Sequence, residues 1–278
     1  MSEDLVRIFF PQWQGSGDNT DLYFSATEIY DLYLKEHDFI SIDVCCHEKL
    51  GVKKNILGLD AIVHNLEQVA DLLNREKPIK IFSVGGDCGI ELGPVSYLNK
   101  VYNKDLVVVW FDAHGDLNTP LSSLSGHFHG MPLRCLLGDG DEEVLSHCFS
   151  YIGPGQVILA GVRELDPAEE VYIRTNDIST VSDDQMINSK DIIVDLIRSK
   201  HFRNVYLHVD LDVLDPDKFP YSKCPVNGGM TKQQLLEQLH KIYDGFNVVG
   251  FSIVEYLSAD INGKYEVEGL VDFGFRMK

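Results

Sequence analysis

The stretch Leu106-Val107-Val108-Val109-Trp110-Phe111-Asp112-Ala113-His114-Gly115-Asp116 decides how the chain is read. Its first six residues are apolar and rich in β-branched side chains. That pattern predicts a strand buried on both faces, the habit of parallel sheets. Its last five residues place Asp112, His114 and Asp116 two apart. In extended geometry such positions share a face, so the three can converge on one point beyond the strand end. Working outward, comparable runs predict strands at 6–10, 39–42, 79–84, 157–160, 205–209 and 248–254. Between them, 60–76 sets Ala61, Leu66, Val69, Ala70 and Leu73 at helical spacing. Ser189 is placed to cap a helix carrying Ile192, Val194 and Ile197, and Thr231 with Gln234 has the form of a capping box. Alternation of this kind predicts an α/β fold around a parallel sheet. No repeat and no Pro/Gly-rich linker interrupts it, so one domain over 1–278 is expected.

With 278 residues and 44% hydrophobic content, the chain has material for a sizeable core. Disorder, collagen-like repeats and small disulfide scaffolds are excluded. The 24 Lys+Arg against 43 Asp+Glu give a net charge of −19, which disfavours nucleic acid and anionic membrane and favours cationic ligands or metals. No apolar run approaches the ~20 residues that span a bilayer. The acidic start Met1-Ser2-Glu3-Asp4 does not resemble a secretory signal. A cytoplasmic location is therefore expected, with Cys45, Cys46, Cys88, Cys135, Cys148 and Cys224 as free thiols. Most of these are expected to be small buried hydrophobes, with Cys88 the exception.

In parallel α/β sheets ligands bind beyond the carboxyl ends of the strands. The 205–209 run leads into Asp210-Leu211-Asp212 and then Asp215-Pro216, so a second D-x-D pair emerges there. Asp is also common at helix caps and turns. However, two such clusters with a histidine would repel strongly unless cations bind among them. Oxygen-rich donors with one imidazole suit Mn²⁺ better than a thiolate-preferring metal. The run at 79–84 ends in Gly85-Gly86-Asp87-Cys88-Gly89, where the glycines permit a tight turn, and the run at 248–254 ends at Glu255. A loop carrying Ser125, His127 and His129 follows the first cluster, well placed for proton transfer or ligand binding.

Taken together, D-A-H-x-D followed by D-x-D-x-x-D-P resembles the ureohydrolase family of arginases, agmatinases and formiminoglutamases, over about 85–255. The motifs are nearest to the arginase branch. The resemblance implies a three-layer α/β sandwich with a mostly parallel central sheet and two Mn²⁺ ions. It also implies Asp112, His114, Asp116, Asp210 and Asp212 as ligands, with Asp112 and Asp210 bridging. Asn118 and Ser125 would face a substrate α-carboxylate, Asp166 an α-amino group, and Thr231 and Glu255 a guanidinium. His129 matches a proton-shuttling histidine, and Asp116 would accept a proton from the attacking water. A homo-trimer or homo-hexamer acting on a small cationic substrate is the family expectation. Two positions depart from the pattern. Cys88 stands where the family has a ligating histidine, so Zn²⁺ or Fe²⁺ could replace Mn²⁺ there. His127 stands where arginases have an asparagine.

The activity these residues imply is hydrolysis of a guanidino compound by metal-activated water, arginine giving ornithine and urea. Alternative readings are an agmatinase, guanidinobutyrase or formiminoglutamase, or a metal-poor member without catalysis.

Overall fold

The computed structural model describes residues 4–17, 19–258 and 260–277; of the acidic start, Met1, Ser2 and Glu3 lie outside the described residues. In chain order the strands are β1 (Leu5–Phe10), β2 (Phe39–Ser41), β3 (Val52–Lys53), β4 (Ile56–Leu57), β5 (Lys80–Gly85), β6 (Leu106–Phe111), β7 (Val157–Ala160), β8 (Ser179–Val181), β9 (Asn204–Asp210) and β10 (Asn247–Val254). Eight of them form one sheet in the order β2-β1-β5-β10-β9-β6-β7-β8, and every pairing in it is parallel.

A parallel sheet cannot leave a face to water, and alternation along each strand fills both sides. On one face Ile81, Val108, Trp110 and Tyr206 join a core with Leu66 and Val69 of helix Leu59–Glu76 and Val95 and Leu98 of helix Leu92–Val101. On the other, Val107, Val109, Phe111, Leu207 and Val209 join one with Ile193, Leu235, Leu239, Leu270 and Val271 from three later helices. The result is the expected three-layer sandwich. Each such buried side chain contributes about 1.5–3 kcal/mol.

Several local expectations need correction. Ser189 follows helix Asp183–Asn188 as its C-cap, and Asp191 precedes helix Ile192–Lys200 instead. Of the six cysteines only Cys88 and Cys135 are buried; Cys45 and Cys224 are exposed. The three-residue edge strand β8 and the β3–β4 hairpin had no sequence signal strong enough to predict them. Lys54 and Asn55 turn that hairpin at φ 53° and 62°, the geometry of a two-residue type I′ turn. The hairpin supports the histidine loop, because Leu57 donates to the Gly126 carbonyl at 2.9 Å. Gly126 has φ +71°, and a Cβ there would come within 2.9 Å of the Asn55 carbonyl oxygen, so both the backbone angle and the space call for glycine.

Candidate metal centre

β9 lies between β6 and β10, with β5 one strand further, so four acidic strand ends meet in the middle of the sheet. The parallel register pairs Trp110 with His208 and Val254 with Asp210, which sets Asp112, Asp210 and Glu255 at nearly one level. Above them opens a cavity of about 310 Å³. Its walls include Cys88, His114, Asp116, Asp210, Asp212 and Glu255. Asn118, Ser125, His127, His129 and Asp166 also line it, while the fully buried Asp112 lies beneath.

Backbone donors hold the carboxylates in place. Asp112 accepts from the His114 amide at 2.6 Å and from Trp110 Nε1 at 3.0 Å. Asp210 accepts from the Asp212 amide at 2.8 Å and from Cys88 Sγ at 3.2 Å. Asp212 accepts from the Ala113 amide at 2.9 Å, tying the two clusters together, and its Oδ2 lies 2.8 Å from His114 Nδ1. Arg163 pins the turn from behind, donating to the Asp212 carbonyl at 2.7 Å and the Val226 carbonyl at 3.0 Å. Asp215 plays the bland part: its carboxylate accepts from the Asp217 amide at 3.0 Å, within its own turn.

Asp116 and Glu255 occupy the left-handed region at φ +52° and +60°, strain that a non-glycine residue bears where the surroundings over-determine it. Glu169 steers the Asp116 loop, with one oxygen on the Leu117 amide at 2.8 Å and the other on the Asp166 amide at 2.9 Å. Glu255 Oε1 accepts from the Cys88 amide at 3.2 Å and meets His129 Nδ1 at 3.2 Å. The Cys88 turn is cramped. A Cβ on Gly86 would come within 1.7 Å of the Gln12 carbonyl oxygen, and Asp87 accepts from Gln12 Nε2 at 2.9 Å and the Gly15 amide at 2.8 Å.

The electrostatics show a site short of positive charge. Burial and Asp112 push the Asp116 carboxyl well up, burial and Asp212 do the same to Asp210, and burial with Asp112 raises Asp212 to about 7. Burial and the surrounding aspartates raise the Cys88 thiol well above its ordinary value. Burial works against protonation of His114, yet Asp112 and Asp212 raise it to about 12. His129 is raised as well, Glu255 outweighing its burial. His127 is lowered by burial, His129 and Lys223. Among the described residues, Asp116 Oδ2, Glu255 Oε2 and His208 Nε2 are buried without a hydrogen-bond partner. Orphaned donor atoms beside excess carboxylate are what a divalent cation would satisfy, so the residues fit a metal. Three overlapping groups have donor atoms within 4.8 Å of one another: Cys88, Asp112, Asp116 and His208; Cys88, Asp210 and Glu255; Asp112, His114 and Asp212.

Thr231 is a correction. It does not line this cavity: its hydroxyl caps helix Lys232–Gly245, accepting from the Gln234 amide at 3.3 Å. The capping box is the one the sequence predicts, and the hydroxyl is taken up there rather than by a guanidinium at this cavity. Sequence reasoning missed Lys223, Cys224 and Glu164 at the cavity, Glu91 beneath it, and His208. His208 carried a signal, since H-V-D-L-D extends the two-residue alternation of Asp210 and Asp212 back by one step.

Residues 22–264 match the family described as "Arginase family". An arginase of Staphylococcus aureus (strain MRSA252) is 34% identical over 236 residues, 81% of this chain and 77% of that protein. The structure of Entamoeba histolytica arginase in complex with L-ornithine superposes with a TM-score of 0.88 at 24% identity, over 99% of each chain. Bacillus subtilis formimidoylglutamase superposes at 0.75 and 20% identity, over 98% of this chain and 86% of its own. The two superpositions speak for the fold; the family match and the first relative speak for descent. The chain belongs to the arginase family, metal-dependent hydrolases of amidino and guanidino compounds.

Proposed function

We propose that this protein hydrolyses a guanidino amino acid of the arginine type to urea and the free amine, ornithine when the substrate is arginine. The observation that carries it is Glu255, a buried carboxylate with an unpartnered Oε2 at the foot of the cavity. A guanidinium supplies the planar, delocalised cation such a carboxylate pairs with, by charge-assisted hydrogen bonds. Asp112, His114, Asp116, Asp210, Asp212 and Cys88 hold the ions in this reading. When bound, two divalent ions, Mn²⁺ or a softer replacement, supply Lewis acidity and lower the pKa of water. Asp116 accepts a proton with its free Oδ2. His129, holding a proton at Nδ1 against Glu255 Oε1, donates one to the departing amine as the carbon–nitrogen bond breaks, directly or through water. The net reaction adds water across that bond.

At the mouth, Asn118 Nδ2 donates to Asp166 Oδ2 at 2.9 Å and Asn118 Oδ1 accepts from Ser122 Oγ at 2.8 Å, and in this reading the Asp166 carboxylate so held meets an α-amino group. Ser125 and Lys223 also line the mouth and offer a hydroxyl and a cation for an α-carboxylate. One observation favours a second reading. Burial, His129 and Lys223 lower the His127 pKa, which works against the imidazolium a carboxylate would pair with, and a substrate lacking a carboxylate, such as agmatine, would not miss it. The proposal includes one domain over 1–278, a cytoplasmic location and a homo-trimer or homo-hexamer. Among the described residues, no helix is long and apolar enough to cross a membrane.

The test is urea release from arginine, agmatine and guanidinobutyrate by metal-loaded protein, with Glu255→Gln alongside. We expect arginine to be preferred, and Glu255→Gln to lose about 10²–10³-fold in kcat/KM at unchanged metal content, as for a buried charge pair broken from one side. Urea from no guanidine would overturn the activity; metal lost from Glu255→Gln would overturn the assignment of Glu255.

A further inference from the structure

His208 is fully buried in β9, in the row below Asp210, and none of the roles above uses it. Its ring stacks on Trp110 with centroids 3.6 Å apart and planes 20° from parallel. Its Nδ1 lies 3.0 Å from Glu91 Oε1, itself fully buried in the turn Cys88–Glu91. With Nδ1 donating to that carboxylate, the neutral imidazole carries its lone pair on Nε2. Nε2 has no hydrogen-bond partner among the described residues; it points at Asp112 Oδ2 from 3.8 Å, beyond hydrogen-bond reach. Its donor atom lies within 4.8 Å of those of Cys88, Asp112 and Asp116. A four-coordinate ion with bonds of about 2.0–2.3 Å sets its ligand atoms roughly 3.3–3.8 Å apart, so this spacing suits one ion with little movement.

We propose that His208 Nε2 is a metal ligand, and that Cys88, His208, Asp112 and Asp116 form a sulfur–nitrogen–oxygen subsite for a borderline-soft divalent ion of the zinc or ferrous type. Glu91 is its positioning residue, a carboxylate–histidine–metal arrangement that fixes the tautomer and ring and raises ligand basicity. Thiolate and imidazole together shift preference away from the all-oxygen taste of Mn²⁺. Binding releases the Cys88 proton to solvent, since only the thiolate ligates. The inference rests on the metal-dependent reading above and deepens it by naming which ion the buried subsite takes and what holds it.

The experiment is X-ray absorption and elemental analysis of zinc-loaded protein, in the natural sequence and in His114→Ala, which removes the imidazole grouped with Asp112 and Asp212. In His114→Ala we expect one retained zinc with a sulfur neighbour at about 2.3 Å and an imidazole nitrogen at about 2.0–2.1 Å. Glu91→Gln weakens zinc at this subsite by about 10–100-fold, the usual cost of losing a ligand's outer partner, while Mn²⁺ uptake at the other subsite is unchanged. The paired variant Glu91→Gln/His208→Gln removes the imidazole without stranding a buried charge, and is expected to lose the nitrogen signal and at least 100-fold in zinc affinity. Zinc bound to sulfur with only oxygen neighbours in His114→Ala, or no zinc held there, overturns the proposal. Urea release by the natural protein is read separately, so a chain that hydrolyses guanidines without this ligand set sinks only the subsite. A chain that shows the ligand set but hydrolyses none sinks only the activity.

Discussion

The two halves of the acidic pit are built differently. Around His114, the imidazole answers Asp212 at 2.8 Å and Asp112 at 3.5 Å, so part of the charge of two buried carboxylates is offset before any ion arrives. On the buried side, Asp116 Oδ2 and His208 Nε2 are orphaned, and the Cys88 thiol donates to Asp210 for want of anything better. The first half carries a counter-charge of its own. The second is folded into a state that burial and like charge both oppose, which makes sense if an ion completes it. A site of this sort is pre-organised at the expense of the metal-free fold.

The largest effect should separate the halves. Asp116→Asn is expected to cost about 10³-fold or more in kcat, since several kcal/mol of Lewis-acid and proton-accepting function depend on that side. His114→Asn, on the half that is partly offset, should cost less, about 10–100-fold. Equal losses, or the reverse order in steady-state kinetics at saturating metal, would break the comparison.

A smaller effect concerns the metal-free protein. Asp116 and Asp210 are raised well above the ordinary carboxylate value, and Asp212 to about 7. Between the unfolded carboxylate pKa near ~4 and about 7 the native state therefore binds more protons than the unfolded one, so stability falls as pH rises through that window. His114, raised to about 12, acts in the same direction above its unfolded value. Chelator-treated protein should melt roughly 5 °C lower at pH 8 than at pH 5.5, and divalent ion should remove most of that difference. Asp116→Asn should raise the melting temperature of the metal-free protein at pH 8. A metal-free Tm that climbs with pH would say the buried half is not strained.

Much of this was legible in the sequence, for a definite reason. Buried parallel strands advertise themselves as continuous apolar runs, so 106–111 and 157–160 coincide with β6 and β7, and the clusters at Asp112 and Asp210 stand where such runs stop. What the sequence hid was anything decided across elements. Glu91 is an ordinary helix-turn glutamate until the fold lowers it onto His208 at 3.0 Å. Thr231 reads equally well as substrate contact and helix cap, and only the position of helix Lys232–Gly245 assigns its hydroxyl to the backbone. Glu255 looked like an isolated carboxylate because its partners, Cys88 and His129, are 167 and 126 residues away.

The smallest effect tests the mouth against the pit. Asp166 is half-buried, and its carboxylate is engaged by Asn118. Solvent there screens charge, so losing a pairing with a substrate ammonium should cost about tenfold, near the lower end for a hydrogen bond to a charged group. For Asp166→Asn we expect KM for arginine to rise by about that factor with kcat nearly unchanged, because the mouth binds ground state and transition state alike. A guanidine without an α-amino group should show no change in either constant. If kcat falls instead, the mouth is mechanically coupled to the pit. The Glu169 bridge from the Asp166 amide to the Leu117 amide would then be the connection to examine, one residue from Asp116.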